Sequence, residues 1–183
     1  MNSYKALHKQ IFTLGEYALV PIRFEDRMDI MQWRNEQIYH LRQAEPLTKE
    51  AQDAYFENVI AKLFDQEKPQ QILFSLLRSG ECIGYGGLVH INWIDRHAEI
   101  SFIMKTSLEK EEFHSIWGTY LKMIEEIGFM EIEFHKLFVY AFDLRPHLYE
   151  VLQENKYFLD ARLQEHCLYK GKFIDVIIYS KIK

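Results

Sequence analysis

The chain has 183 residues, of which 48% are hydrophobic, 27% charged and 15% aromatic, and its formal net charge is −5. This balance is typical of one globular domain with a substantial core, and it excludes a disordered chain. The acidic charge without a basic stripe argues against a nucleic-acid partner. No apolar run approaches the ~20 residues that span a bilayer, so we expect no membrane partner.

Residues 1–10 are polar and carry no apolar stretch or cleavage site of a secretory signal. Cys82 and Cys167 are far apart in the sequence and do not have metal-type spacing. We therefore expect a metal-free protein of the reducing cytoplasm.

Strands and helices are predicted in the first half of the chain. Residues 17–24 have a strand pattern, and Asp26 with Asp29 indicates the N-cap and acidic first turn of a helix towards Ile38. Thr48 is predicted to cap a second helix. The apolar face of that helix consists of Phe56, Val59, Ile60 and Leu63.

A hairpin and a crossover follow. Residues 71–77 and 82–93 are predicted strands joined at Ser79-Gly80. Residues 98–104 alternate as a strand, and the period then becomes helical from about Glu109 to Ile127. Residues 137–142 are continuously apolar, which is typical of a strand buried on both faces in a parallel pair.

Pro146 suits the first turn of another helix, and residues 158–169 and 172–179 form a closing hairpin that turns at Lys170-Gly171. The predicted fold is α/β, or more closely α+β. A mostly antiparallel mixed sheet contains one parallel βαβ crossover and has helices on both faces. We assign residues 1–16 to an N-terminal extension and residues 17–183 to a single domain.

Several short motifs resemble the GNAT superfamily of N-acetyltransferases. They are Ala98-Glu99-Ile100-Ser101-Phe102-Ile103, Gly171-Lys172-Phe173-Ile174-Asp175-Val176, Trp33-Arg34-Asn35 and Gly84-Tyr85-Gly86-Gly87-Leu88. The branch they resemble most is that of the ribosomal-protein and aminosugar N-acetyltransferases. The glycines of the last motif lack the context of a dinucleotide fingerprint and indicate a bulge or a close backbone contact.

This resemblance implies direct transfer of an acetyl group from acetyl-coenzyme A to a primary amine, which could belong to an aminosugar, another small amine or a peptide N-terminus. It also implies that the backbone of residues 98–104 holds the pantetheine arm, with the Ile103 N–H as the oxyanion donor. No covalent intermediate or metal is needed.

The family's pyrophosphate loop aligns with residues 113–118, where only Gly118 matches the family pattern. Ile116 stands where a glycine would let a phosphate approach, and Glu109, Glu111 and Glu112 surround the helix start. The implied cofactor-binding set is Phe102, Ile103, Lys105, Ser115, Ile116, Trp117, Gly118 and Thr119. The competing interpretation is a self-capped structural helix.

Glu99 is the candidate base, and its competing role is that of a surface-facing or salt-bridged glutamate. His97 and His90 are alternative bases, because the pKa of histidine lies nearer neutrality. Gln153 occupies the family's usual tyrosine position, so Tyr149, one turn earlier, is the candidate acid. Its competing role is ordinary aromatic packing.

Trp33, Arg34 and His90 are the candidate substrate residues, although a simple core position is the competing and slightly favoured interpretation of Trp33. The missing glycines leave a second hypothesis open, a GNAT-fold interaction module that no longer uses acetyl-coenzyme A. The last predicted strand carries Ile174, Val176 and Ile178 on one face, which would suit the domain's own helices or a homodimer contact.

Overall fold

The computed structural model describes residues 2–183 and is built around one eight-stranded sheet with strand order β1-β2-β3-β4-β5-β6-β8-β7. The strands are β1 Phe12–Leu14, β2 Tyr17–Pro21, β3 Ile72–Arg78, β4 Glu81–Asn92, β5 His97–Met104, β6 Lys136–Phe142, β7 Phe158–Tyr169 and β8 Lys172–Ile182. The predicted hairpins at Ser79-Gly80 and Lys170-Gly171 are confirmed.

The α-helices are α1 Arg27–Glu36, α2 Lys49–Tyr55, α3 Ala61–Leu63, α4 Glu109–Glu125 and α5 Pro146–Glu154. Residues 38–40 and 106–108 form 3₁₀ turns, and Phe56–Ile60 and Glu126–Glu131 form π turns. Within residues 2–183 no helix is both long enough and apolar enough to cross a membrane.

The two predicted helix caps have different outcomes. The Thr48 side chain accepts a hydrogen bond from the Ala51 N–H, as predicted. Asp26 precedes α1 but makes no capping bond, because its carboxylate accepts hydrogen bonds from the Arg23 guanidinium. The helix also ends at Glu36, two residues before the predicted end.

Neighbouring strands are antiparallel except for β5 and β6, which confirms the predicted mixed sheet with one parallel pair. That parallel pairing is short. It joins His97 to Lys136, Ala98 to Leu137 and Glu99 to Phe138, and it goes no further.

Helices cover both faces of the sheet. On one face, Phe102 of β5 stacks on Tyr120 of α4 with ring centroids 3.9 Å apart. On the other face, Arg34 of α1 donates a hydrogen bond to the Tyr85 hydroxyl of β4. Tyr85 pairs with Ile103 and alternates with Phe102 along the sheet, so these contacts lie on opposite faces.

The prediction that residues 137–142 are buried on both faces is wrong. Leu137 and Val139 are buried, whereas Phe138 and Tyr140 are partly exposed. The physical reason is that β6 pairs with β8 along its whole length but with β5 over only three residues, so one flank and one face of β6 stay open.

Much of the predicted N-terminal extension packs into the same core as the rest of the chain. Tyr4 and Phe12 are each 1% exposed, and the Tyr4 hydroxyl donates to the Leu73 carbonyl and accepts from the Leu73 N–H. β1 pairs with β2. The boundary predicted at residue 17 therefore does not mark the edge of the packed unit.

The glycines of β4 mark close backbone contacts, as predicted. A Cβ atom on Gly86 would lie 2.1 Å from the Ser101 carbonyl oxygen and 2.7 Å from the Tyr120 hydroxyl. A Cβ atom on Gly87 would lie 2.0 Å from the Ile72 carbonyl oxygen. These glycines let β4 lie between β3 and β5 while α4 packs directly on the sheet.

We predict that Gly86→Ala destabilises the fold by roughly 1–3 kcal/mol, because the added methyl group meets backbone that cannot move away. Gly118→Ala is the matched control. Its Cβ atom would lie 3.6 Å from Asn155 Nδ2, and an alanine inside α4 is expected to stabilise the helix by roughly 0.5–1 kcal/mol. Urea unfolding measures both changes, and equal effects of the two substitutions would contradict the close contact at Gly86.

Candidate active site

A cleft opens where β5 and β6 separate. Their pairing ends at Glu99 and Phe138, and beyond this point each strand follows its other neighbour, β4 for β5 and β8 for β6. The resulting cavity has a volume of about 650 Å³. It is lined by both strands, by Trp117 of α4 and Leu148 of α5, and by residues 40–42 after α1.

The backbone of β5 presents hydrogen-bonding groups to this cleft. In an antiparallel pair, alternate residues direct both their N–H and C=O groups to the partner strand. The Lys105 N–H donates to the Ile83 carbonyl. By the same alternation, the backbone N–H and C=O groups of Ile103 and Ser101, two and four residues earlier, are also directed towards β4. Phe102 therefore directs its N–H towards the cleft, and Met104 does the same at the end of the strand.

This alternation bears on the predicted oxyanion donor, the N–H of Ile103. Ile103 lines the cleft with its side chain, but its N–H is directed to Tyr85 of β4. Phe102 is the residue whose N–H lies on the open side. The Met104 carbonyl, at the end of β5, accepts a hydrogen bond from the buried Gln37 side chain.

A buried carboxylate lies at the point where the strands separate. The Glu99 side chain is 7% exposed and forms an ion pair with Arg42, and its Oε2 lies 3.8 Å from His90 Nε2. Burial raises the pKa of Glu99 above its ordinary value, against the lowering effect of Arg42 and then His90. A carboxylate whose pKa is raised is a stronger proton acceptor than an ordinary glutamate.

A buried guanidinium faces the cleft from the α5 side. Arg145 immediately precedes α5 and is 5% exposed, and its Nε atom has no hydrogen-bond partner among the described residues. Its Nη2 atom lies 3.9 Å from Glu109, and its guanidinium lies over the Phe113 ring at 5.1 Å. Burial lowers the pKa of Arg145, which is opposed by the charge of Glu109.

His40 lies directly against this guanidinium. Arg145 Nη1 is 2.9 Å from Nδ1 and 2.8 Å from Nε2 of the imidazole. Burial, and then the positive charge of Arg145, lower the pKa of His40 from 6.5 to about 3. The imidazole is therefore neutral at physiological pH and adds no further positive charge beside Arg145.

The residues aligned with the pyrophosphate loop, 113–118, lie inside α4 and not in a loop. Backbone N–H groups at these positions are used within the helix, and the Glu109 N–H at its start donates to the Thr106 carbonyl. Ile116 and Trp117 are buried, with 0% and 3% exposure, and Ser115 donates to the Glu112 carbonyl. Of the loop residues and Thr119, Trp117 alone lines the cleft.

The acidic start of α4 is less negative than the sequence suggests. Arg78 forms an ion pair with Glu112, and Arg145 lies close to Glu109. Lys105, one of the predicted cofactor-binding residues, has its Nζ atom 2.8 Å from Glu81 Oε1. Two of the three glutamates at the helix start thus have arginine partners.

The structure brings together part of the predicted site. Glu99, Arg34, His90, Phe102, Ile103 and Trp117 line one cavity. Trp33 is 4% exposed within the core, as the simpler interpretation has it. His97 packs its ring against Phe138 and is not part of the lining.

Tyr149 does not line the cleft either. Its hydroxyl donates to Asp143 Oδ1 at 3.0 Å, and its ring stacks on Tyr179. Burial, followed by this hydrogen bond, raises the pKa of Tyr149 well above its ordinary value. The phenol is therefore held away from the cleft by a strong acceptor.

The polar lining residues that sequence reasoning missed include three that carry or neighbour the charges of the cleft, His40, Arg42 and Arg145, and also Tyr140, Gln70, Gln71 and Ser101. Arg145 had a detectable signal, since it stands at the end of β6 and directly before the helix that begins at Pro146. Arg42 and His40 follow α1 in a segment with no recognisable motif. Among residues 2–183 no group of three or more histidine, cysteine or acidic side chains is placed to hold a metal ion.

Solved structures share this architecture. A mutant form of the spermidine/spermine N-acetyltransferase SpeG of Vibrio cholerae aligns with a TM-score of 0.76 at 16% identity. The alignment covers 92% of this chain and 95% of that one. Spermidine N-acetyltransferase from the same organism, in complex with CoA and spermine, aligns with a TM-score of 0.77 at 17% identity, covering 92% and 96%.

The separating strands and the alignments define the fold of an acetyltransferase. Residues 19–178 match the family model described as the acetyltransferase (GNAT) domain, and the chain therefore belongs to the GNAT acetyltransferase family. It is an acetyl-CoA-dependent N-acyltransferase, as the sequence predicted.

The cleft fits acetyl-CoA as co-substrate. The open side of β5 offers the Phe102 N–H, and the buried Arg145 Nε has no partner in the described protein. Both are groups that a polar ligand would satisfy. Phe102 and Arg145 would therefore hold the co-substrate.

The low pKa of His40 predicts a specific pH dependence of stability. Since its folded pKa of about 3 lies below its ordinary value of 6.5, the folded state binds fewer protons than the unfolded state in this window. The free energy of unfolding therefore decreases as the pH falls from above 6.5 towards 3. We expect the wild type to lose about 2 kcal/mol more than His40→Phe between pH 7 and pH 5.

Denaturant unfolding at the two pH values measures this difference. The matched control is His166→Phe on the exposed side of β7, which should keep the wild-type pH dependence. Parallel pH profiles of the wild type and His40→Phe would show that His40 is not neutral beside Arg145.

Proposed function

We propose that the protein transfers an acetyl group from acetyl-CoA to a primary amine of a small molecule or a peptide N-terminus, with the transfer taking place where β5 and β6 separate. The observation that carries this proposal is the open side of β5 next to a buried carboxylate, Glu99. The Vibrio cholerae relative in complex with CoA and spermine supports an amine acceptor.

Acetyl-CoA supplies the activated acetyl group as a thioester. We assign the Phe102 N–H, in place of that of Ile103, to the thioester oxygen, because it faces the cleft from a strand that β4 holds rigid. The positive charge of Arg145 is assigned to the departing sulfur. A buried guanidinium stabilises an anion strongly because water does not screen it.

Glu99 is assigned to the proton of the acceptor amine. Burial favours its neutral form, so it takes up a proton readily, while Arg42 keeps the ionised form accessible. His90 lies on the solvent side of the same carboxylate, where it can pass the proton to water. A neutral amine then forms the bond to the acetyl carbon as the carbon–sulfur bond breaks, and the proton that the new amide nitrogen loses passes to the departing thiolate, which leaves as the CoA thiol.

One observation favours the second hypothesis, an interaction module that does not use acetyl-CoA. Residues 113–118 form a regular helix with Ile116 fully buried, so no glycine-lined loop is present at these positions. The compensation of Glu109 and Glu112 by arginines opposes this hypothesis, because it reduces repulsion of a phosphate. The aminosugar and ribosomal-protein branch stays a prediction.

We predict that the wild type binds acetyl-CoA and that Glu99→Gln binds it within about threefold but turns over roughly 10²- to 10⁴-fold more slowly. Because the pKa of Glu99 is raised, wild-type kcat/KM should rise with pH on the acidic side of its pH profile, and the midpoint of this rise should lie above the pKa of an ordinary glutamate. The pH profile of Glu99→Gln should lack this rise. Calorimetric titration measures binding, and release of free thiol from acetyl-CoA measures turnover on a panel of amines.

Glu150→Gln is the matched control, since Glu150 is exposed on α5 and does not line the cleft. It should behave as the wild type in both assays. Absence of acetyl-CoA binding at millimolar concentration would contradict the proposed enzyme and favour the interaction module. Full turnover by Glu99→Gln would leave the enzyme but remove Glu99 from its mechanism.

A further inference from the structure

We infer that the acceptor carries an anionic group, a phosphate or a carboxylate, in addition to its amine, and that Arg34 binds this group. The inference rests on the proposed function, because it concerns the acceptor of the same reaction. An enzyme of this kind would prefer an acceptor with an anionic group over a polyamine, since a polyamine carries only positive charge.

The Arg34 guanidinium is held in place by neutral partners. Its Nη1 atom donates to the Tyr85 hydroxyl at 2.5 Å, and its Nε atom donates to Gln43 Oε1 at 2.9 Å. Within the described chain no carboxylate forms an ion pair with it, and its Nη2 atom is not among the donors of a hydrogen bond. A guanidinium fixed in this way has a free N–H edge for an anion.

The position of Arg34 is at the junction of two cavities. It lines the cleft between β5 and β6 and also a second cavity of about 410 Å³ under α1 and α2. Apolar and aromatic side chains dominate the second cavity, including Phe56, Leu73 and Tyr85. An acceptor whose amine reaches Glu99 can place its remaining part in this cavity and pass Arg34 on the way.

The sheet separates Arg34 from the helix that the phosphates of the co-substrate would approach. Arg34 contacts Tyr85 on one face, whereas α4 packs on the other face through Phe102 and Tyr120. The Arg34 charge is therefore directed to the acceptor side of the cleft.

The charges of the cleft do not balance without an anionic ligand. Three arginines line it, and two of them have carboxylate partners, Arg42 with Glu99 and Arg145 with Glu109. Burial keeps His40 neutral, and its pKa is about 3. The positive charge of Arg34 remains, and a second positive charge from a polyamine would meet it as a like charge.

Matched pairs of amines that differ in one group test the inference on the full chain with saturating CoA or acetyl-CoA. Glucosamine 6-phosphate is compared with glucosamine, and 4-aminobutanoate with 1,4-diaminobutane; the two pairs distinguish a phosphate from a carboxylate. We expect at least tenfold higher kcat/KM for the anionic member of one pair, or at least tenfold tighter binding to the CoA complex where turnover is too slow.

Arg34→Gln should reduce that preference at least tenfold, mainly through KM or the dissociation constant of the anionic member. Arg34→Lys should keep most of the preference, because it keeps the charge. Lys49→Gln, which removes a positive charge from the exposed start of α2, is the matched control and should change nothing.

Equal use or equal binding of both members of each pair, or no binding of any member at 10 mM, would overturn the inference. So would an unchanged preference in Arg34→Gln, or a loss of CoA affinity in that variant. Failure of acetyl-CoA itself to bind would instead contradict the proposed function, so the two failures are distinguishable.

Discussion

The short parallel pairing of β5 and β6 is the constraint on which the site depends. Each strand is held along its length by an antiparallel neighbour, β4 or β8, and only three residues of each strand meet across the parallel pair. The strands must therefore separate beyond Glu99 and Phe138. This separation leaves the Phe102 N–H without a strand partner and creates the cavity that α4 and α5 line from one side and the segment after α1 from the other.

Charge organises the two sides of this cleft differently. On the α5 side, Arg145 is buried beside Glu109, while a neutral His40 fills the space next to it. On the α1 side, Glu99 and Arg42 form a pair that leaves Arg34 without a carboxylate partner. Because Glu99 and Arg145 are buried, their charges are screened less than surface charges. We therefore assign stabilisation of the sulfur to the α5 side and recognition of the acceptor to the α1 side.

Local pattern predicted most of the fold, because strand alternation, the change to helical period after Met104 and the glycine turns are properties of neighbouring residues. Glu99 was also found, since it is the one carboxylate on β5, a strand that is otherwise mostly apolar. Arg42, His40 and Arg145 could not be placed together from the sequence, because tertiary packing alone brings residues 40–42 next to the start of α5. The family's loop pattern was misleading at residues 113–118, where apolar burial on α4 determines the conformation.

Amide hydrogen exchange, measured residue by residue with and without CoA, tests the central claim that the open side of β5 receives the co-substrate. Without CoA, the Ile103 amide should exchange slowly, because it is directed to β4, and the Phe102 amide should exchange fast. Saturating CoA should slow the Phe102 amide at least tenfold and leave Ile103 nearly unchanged. Binding of CoA without protection of Phe102 would contradict the account.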